Sequence, residues 1–231
     1  MSLTASEQER YRISDVHEYG LDTEHFYIYV QGVADNPTED FVEPGVEYRM
    51  ANRLIKNLDI LQGLNEDRPI VISMKTCGGD WVEGMAMYDA ILAVPNRVTI
   101  INYSHARSMS SIILQAANKR ILMPRSYFMI HEGTDGFEGT AKSFRSYAEF
   151  GKIAMEQMLD IYVDCLYRSG GAMRKGRWSR KRTRQWLIDQ MNLKEEVYFT
   201  AGEAVKLGFA DEIFEGWGTV ADYTEAQRAR K

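Results

Sequence analysis

Between Pro69 and His131 short apolar runs alternate with helical ones, and that alternation restricts the chain to an α/β fold around a mainly parallel sheet. Pro69–Met74 carries Ile-Val-Ile behind a proline and predicts a buried strand. A Gly78-Gly79 turn follows, then a helix over Val82–Val94 that stops before Pro95. Val98–Asn102 predicts another strand, Ser108–Ala117 an apolar helix, and Arg120–Met123 and Tyr127–Ile130 two short strands around Pro124. Upstream, Phe26–Val30 predicts a strand, and Val46, Met50, Leu54, Leu58 and Leu61 follow the helical period. Downstream, Ala141–Tyr167 predicts a long helix. Thr200 opens a further helix with Glu203 in a Thr-x-x-Glu capping box, Gly208 closes it, and Phe209–Phe214 predicts a last strand.

The remaining segments set the domain limits. Residues 1–24 are polar, show no clear period, and are expected to be an extension or mobile arm. One domain is expected over 25–216, with an acidic loop at Asp35–Glu43, a glycine-containing loop at Glu132–Gly139 and a tail at 217–231. A basic insertion at 169–184, with Arg174, Lys175, Arg177, Arg180, Lys181, Arg182 and Arg184, is expected to be a solvated surface segment; a patch for a polyanion or partner is the sharper alternative.

With 231 residues and 45% hydrophobic composition, the chain can bury one sizeable core. A net charge of −5 argues against a nucleic-acid partner. No apolar run reaches bilayer length, and the first ten residues lack the apolar centre of a signal peptide, so the expectation is a cytoplasmic protein with no membrane partner. Two cysteines, Cys77 and Cys165, fit a reducing compartment. Neither Cys-x-x-Cys nor His-Glu-x-x-His occurs, and no metal and no cofactor are expected.

Ser108 before an apolar helix and His131 after an apolar strand are the residue types of a serine hydrolase, provided the fold joins them. A serine hydroxyl needs a base, the base needs an acceptor on its other nitrogen, and the oxyanion needs donors. A backbone N–H at Met109 and another at Gly79, unobstructed by a Cβ, are the candidate donors. Taken singly, Ser108 also fits a plain N-cap, His131 a hydrogen-bonded strand-end residue and Gly78-Gly79 a simple turn. Ser104, Ser110 and Ser111 are rival hydroxyls, His105 a rival base and Cys77 a rival nucleophile.

Taken together, from about Phe26 to Ile213, the motifs resemble the proteolytic subunit of the Clp protease, a serine peptidase of the Clp/crotonase-like fold. That family's Ser-Pro-Gly-Gly turn appears as Thr76-Cys77-Gly78-Gly79, and its Gly-x-x-x-Tyr-Asp helix as Gly84 to Tyr88-Asp89. Its Ala-Ala-Ser-Met motif appears as Ala106-Arg107-Ser108-Met109, which selects Ser108 among the serines. Its Leu-Pro-x-Ser-x-x-Met-Ile-His motif appears as Met123-Pro124-Arg125-Ser126-Tyr127-Phe128-Met129-Ile130-His131. The C-terminal signature, an acid before Phe-Leu-Ser-Ala-x-Glu-Ala, appears as Glu196-Val197-Tyr198-Phe199-Thr200-Ala201-Gly202-Glu203-Ala204.

The resemblance implies repeated β-β-α units with a protruding helix-strand handle. It implies a Ser108–His131–Glu196 triad, with Gly79 and Met109 as the oxyanion hole. Glu196 stands where the family has aspartate, and neighbouring Glu195 is the alternative third member. The resemblance further implies heptameric rings stacked as a tetradecamer, a hexameric Clp-type ATPase as partner, and unfolded or delivered polypeptides as substrate. The chain departs from the pattern at Cys77, for the family proline, and at Arg107, for a small residue. Alternatives are a non-catalytic ring component, a phage head-maturation protease of the same fold, and an acyl-coenzyme A enzyme of the crotonase group.

Overall fold

The computed structural model describes residues 4–32, 43–134, 136–168 and 171–215. The expected tail at 217–231 and nearly all of the expected acidic loop lie outside the described residues. In chain order the elements are α1 (Ala5–Tyr19), β1 (Leu21–Asp22), β2 (Tyr27–Gln31), α2 (Tyr48–Leu64), β3 (Ile70–Thr76), α3 (Trp81–Ala93) and β4 (Val98–Arg107). There follow α4 (Met109–Ile113) with a 3₁₀ turn (Leu114–Ala116), β5 (Lys119–Leu122), β6 (Tyr127–Ile130) and α5 (Ala141–Arg168). The chain continues with α6 (Ala172–Lys175), α7 (Arg180–Leu193), β7 (Val197–Thr200), α8 (Ala201–Leu207) and β8 (Glu212–Ile213).

The strands form one sheet in the order β1-β2-β3-β4-β5-β8, with β6 joining β4 and β7 joining β6. Among the described residues only β1–β2 and β6–β7 are antiparallel, so the expected mainly parallel α/β architecture holds. β4 is twice as long as its apolar run suggests, because it is two strands in one. Residues 99–102 pair with β5, and 105–107 pair with β6. Between them the register with β3 slips: Met74 faces Asn102, yet Thr76 faces Ala106. The two extra residues form a bulge, with Ser104 at φ 68°, that bends the strand. The polar stretch Asn102–His105 hid this extension from the apolar pattern.

Alternation along β2, β3 and β4 sorts side chains between two faces. Ile28, Ile70, Ile72 and Ile100 join the main core beneath the helices, whereas Tyr27, Val71 and Ile101 form a smaller cluster on the other face, beside Tyr29 and Tyr103. Residues 5–19 are helical although no period marked them. None of their side chains is buried, so no apolar stripe was needed. The helix rests on its ends: the Glu7 carboxylate accepts from the Thr4 N–H (2.8 Å) and hydroxyl (2.7 Å), and Gly20 closes it at φ 65°. Buried Asn57 donates to the Tyr19 carbonyl at 2.9 Å and ties α1 to α2.

The basic run is largely helical. Arg184 bonds Asp160 (2.8 Å) and Glu156, Arg180 bonds Asp164, and Arg182 stacks over Trp178, so α7 lies along an acidic face of α5. Leu187 and Met191, farther along the same face of α7, enter the core. The long helix of the expected handle is present as α5. Among the described residues from 132 to 140 no strand forms.

Arg120 is wholly buried at the start of β5 and is fully paired. Its backbone N, Nε and Nη2 donate to Asp211 at 2.8, 3.1 and 2.6 Å, and Nη1 donates to Gln115 Oε1 at 2.6 Å. Burial opposes the Asp211 charge, but the bonds and charge of Arg120 outweigh it and hold the carboxyl below its ordinary 3.8. This pair clamps β5 to the turn before β8. Asp211→Ala would leave a buried cation unpaired and should cost about 3–5 kcal/mol in urea unfolding at neutral pH. The difference between variant and parent should shrink as pH falls through the folded-state pKa of Asp211, where the parent loses the same charge.

Candidate active site

Parallel strands present their carboxyl ends together, and here those ends carry the candidate residues. β3 ends at Thr76 and leads into Gly78-Gly79, β4 ends at Arg107 and leads into Ser108, and β6 ends at Ile130 and leads into His131. Arg107 faces Met129 in the β4–β6 ladder, and the Ser108 N–H donates to the Met129 carbonyl at 3.3 Å. The hydroxyl of Ser108 therefore reaches His131, and Oγ lies 2.8 Å from Nε2.

Ser108 occupies the N-cap position of α4, yet its side chain makes no capping bond. Its backbone sits at φ 53°, ψ −132°, outside the regions an L-residue prefers. The strained turn holds the hydroxyl away from the helix end and toward the imidazole. Two of the rival hydroxyls are otherwise engaged. Ser110 Oγ donates to the Thr76 carbonyl at 2.8 Å, and Ser111 Oγ lies 2.6 Å from both the Ser108 carbonyl and the buried Tyr162 hydroxyl. Ser104 is exposed on the bulge. His105 turns toward Glu43 (3.5 Å), and the Cys77 thiol toward the Glu43 carbonyl.

The glycine turn is pinned from its far side. Val46 N–H donates to the Gly78 carbonyl at 2.6 Å, and Asp80 N–H to the Val46 carbonyl at 2.9 Å. Gly78 and Gly79 have φ 91° and 148°. A Cβ on Gly78 would stand 2.6 Å from the Cβ of Ser108, so glycine is required both by conformation and by the approach of the serine. Gly84 on α3 likewise faces the Met109 side chain with no room for a Cβ.

His131 is half-buried. Burial pushes its pKa below 6.5, while Glu196 and, less strongly, Glu195 pull it up and Arg107 pulls it down. Among the described residues no hydrogen bond reaches Nδ1. The antiparallel β6–β7 ladder pairs Ile130 with Val197, so the next step sets His131 opposite Glu196, with Glu195 one residue farther. Both glutamates are exposed, and Glu196 Oε2 accepts from the Tyr198 hydroxyl at 2.7 Å. Arg107 is folded back: its Nε donates to the Cys77 carbonyl at 3.1 Å, bracing the glycine turn. Sequence patterns did not single out the Arg107 brace, the Tyr162 support under α4 or the Tyr198 contact, because each depends on a partner remote in the chain or on side-chain direction.

A cavity of about 620 Å³ opens onto Ser108, His131, Gly79 and Met109, and its lining mixes apolar Val82, Ile112, Met155 and Met158 with polar Asp80, Glu132 and Thr134. Among the described residues no cluster of His, Cys, Asp and Glu is placed to hold a metal, and no helix is long and apolar enough to cross a membrane.

The family model for Clp protease matches residues 30–216. The ATP-dependent Clp protease proteolytic subunit 2 of Thermobifida fusca is 28% identical over 177 residues, which is 75% of this chain and 78% of that protein. The ATP-dependent Clp protease proteolytic subunit of Deinococcus radiodurans is 32% identical over 124 residues, 53% of this chain and 61% of its own length. Subunit 1 from Leifsonia xyli is 27% identical over 169 residues, 71% and 77% of the two chains.

Gly78→Ala tests the strained turn. Forcing Ser108 and the Arg107 carbonyl away from the new Cβ should lower kcat for peptide hydrolysis by about tenfold or more, and the strained backbone should lower the Tm as well.

Proposed function

The chain belongs to the Clp protease family, and from that premise we propose that it is a serine endopeptidase whose nucleophile is Ser108. The observation that carries this is the 2.8 Å approach of Ser108 Oγ to His131 Nε2, made by a serine in a strained turn that forgoes its capping bond. His131 takes the hydroxyl proton as Oγ attacks the peptide carbonyl, then delivers it to the leaving amine. Water repeats the sequence on the acyl-enzyme. The backbone N–H groups of Gly79 and Met109 flank the serine and bind the oxyanion as it forms. Glu196 steadies the imidazolium. Its support is the ladder register and its pull on His131, which exceeds that of Glu195. The apolar side chains of Val82, Ile112, Met155 and Met158 in the cavity lining offer a place for an apolar side chain beside the scissile bond.

We further propose ring assembly, as heptamers stacked in pairs around a chamber, with a hexameric ATPase feeding unfolded chains. Exposed Phe144, Phe150 and Ile153 along the first half of α5 support a covered surface there. A non-catalytic ring component would not need the strained serine.

Ser108→Ala should lower peptide hydrolysis by about 10⁴-fold or more without changing the unfolding midpoint, and full retention of turnover would exclude the mechanism. Because burial holds His131 below 6.5 and the base must be neutral, kcat/KM should rise with pH along a limb centred below that value.

A further inference from the structure

We propose that Tyr198 is a positioning residue that holds the Glu196 carboxylate opposite His131. The inference rests on the serine-peptidase function proposed above and adds the device by which a glutamate serves there. Glu196 is exposed and lies just outside the β6–β7 ladder, so nothing in the sheet fixes its side chain. An unrestrained glutamate spreads over many rotamers, and its charge is then weak through water. Among the described residues the contact that restrains it is the 2.7 Å bond from the Tyr198 hydroxyl to Oε2.

The strand makes that contact local. Residues two apart share a face, so Tyr198 and Glu196 project from the same side of β7. Tyr198 faces Met129 in the ladder, and Glu196 follows the Ile130–Val197 pair toward His131. The Tyr198 ring is 50% exposed and outside the core, so its hydroxyl, rather than its packing, distinguishes it from phenylalanine. A carboxylate accepts on both oxygens, and a bond on Oε2 leaves Oε1 for the Nδ1 proton of His131. The charged groups acting on His131 are Glu196 and Glu195 from the β7 side and Arg107 from the end of β4. Arg107 also acts on the Tyr198 hydroxyl, so the cation, the phenol and the carboxylate share one corner beside the imidazole.

The test is Tyr198→Phe in the full-length chain, alone and combined with Glu196→Ala. Alone it should lower kcat about fivefold with KM unchanged. The His131 titration followed by NMR should move to lower pH, as the imidazolium loses a held carboxylate. In the Glu196→Ala background the same change should have no effect on kcat. An unchanged or increased kcat, an unmoved or raised His131 midpoint, or a fivefold loss that persists without Glu196 would overturn the proposal. An increased kcat with a raised midpoint would mean that Tyr198 draws the carboxylate away from His131. The two levels fail separately. Turnover surviving Ser108→Ala removes the serine mechanism, whereas the NMR titration reads the action of Tyr198 without turnover.

Discussion

The bulge in β4 decides where everything else sits. A straight strand pairs with one neighbour on each side along its whole length. By absorbing two extra residues between its contacts with Met74 and Thr76, β4 bends, leaving β5 with its first half and taking β6 with its second. Only the second half leads into Ser108, and only β6 leads into His131, so the hydroxyl–imidazole contact depends on that change of partner. β7 then adds antiparallel to β6 and brings its first residues, beside Glu196, back to the same edge. Four segments remote in sequence converge because one strand is shared.

The electrostatics of the site follow from that placement. His131 is half-buried, which favours the neutral imidazole a general base must be, and an exposed glutamate partly restores its basicity. A more buried acid would act more strongly but would itself need solvation by the protein. The chain instead places Glu196 at the rim and restrains it from its own strand. Arg107 fits the same economy. Its charge opposes protonation of His131, while its Nε braces the carbonyl beside the glycine turn. A bulky cation next to Ser108 is tolerated because its Nε turns back to the Cys77 carbonyl.

Much of this was legible in the chain itself. The strands and helices from Pro69 to His131 follow from apolar period and proline positions, and the ordered motifs single out Ser108, His131 and the glycine turn. No amphipathic pattern marks α1, because a helix with no buried residue has none; its signals in the chain are the Thr4-x-x-Glu7 box and the Gly20 stop. The extent of β4 was hidden for a related reason, since Ser104 and His105 break the apolar run inside a bulge. The start of α7 reads as a charge cluster because its basic side chains pair with acids of α5, a long-range match that no local pattern records. Side-chain direction at Tyr198 and Arg107 belongs to the same class of information.

The central claim is that Ser108, and no other hydroxyl, is the nucleophile activated by His131. Reaction with a fluorophosphonate followed by peptide mapping tests it most directly. A single adduct on the peptide containing Ser108, absent when His131 is replaced by alanine, is the predicted result. An adduct on Ser104, Ser110 or Ser111, or labelling of Ser108 that is indifferent to His131, would contradict it.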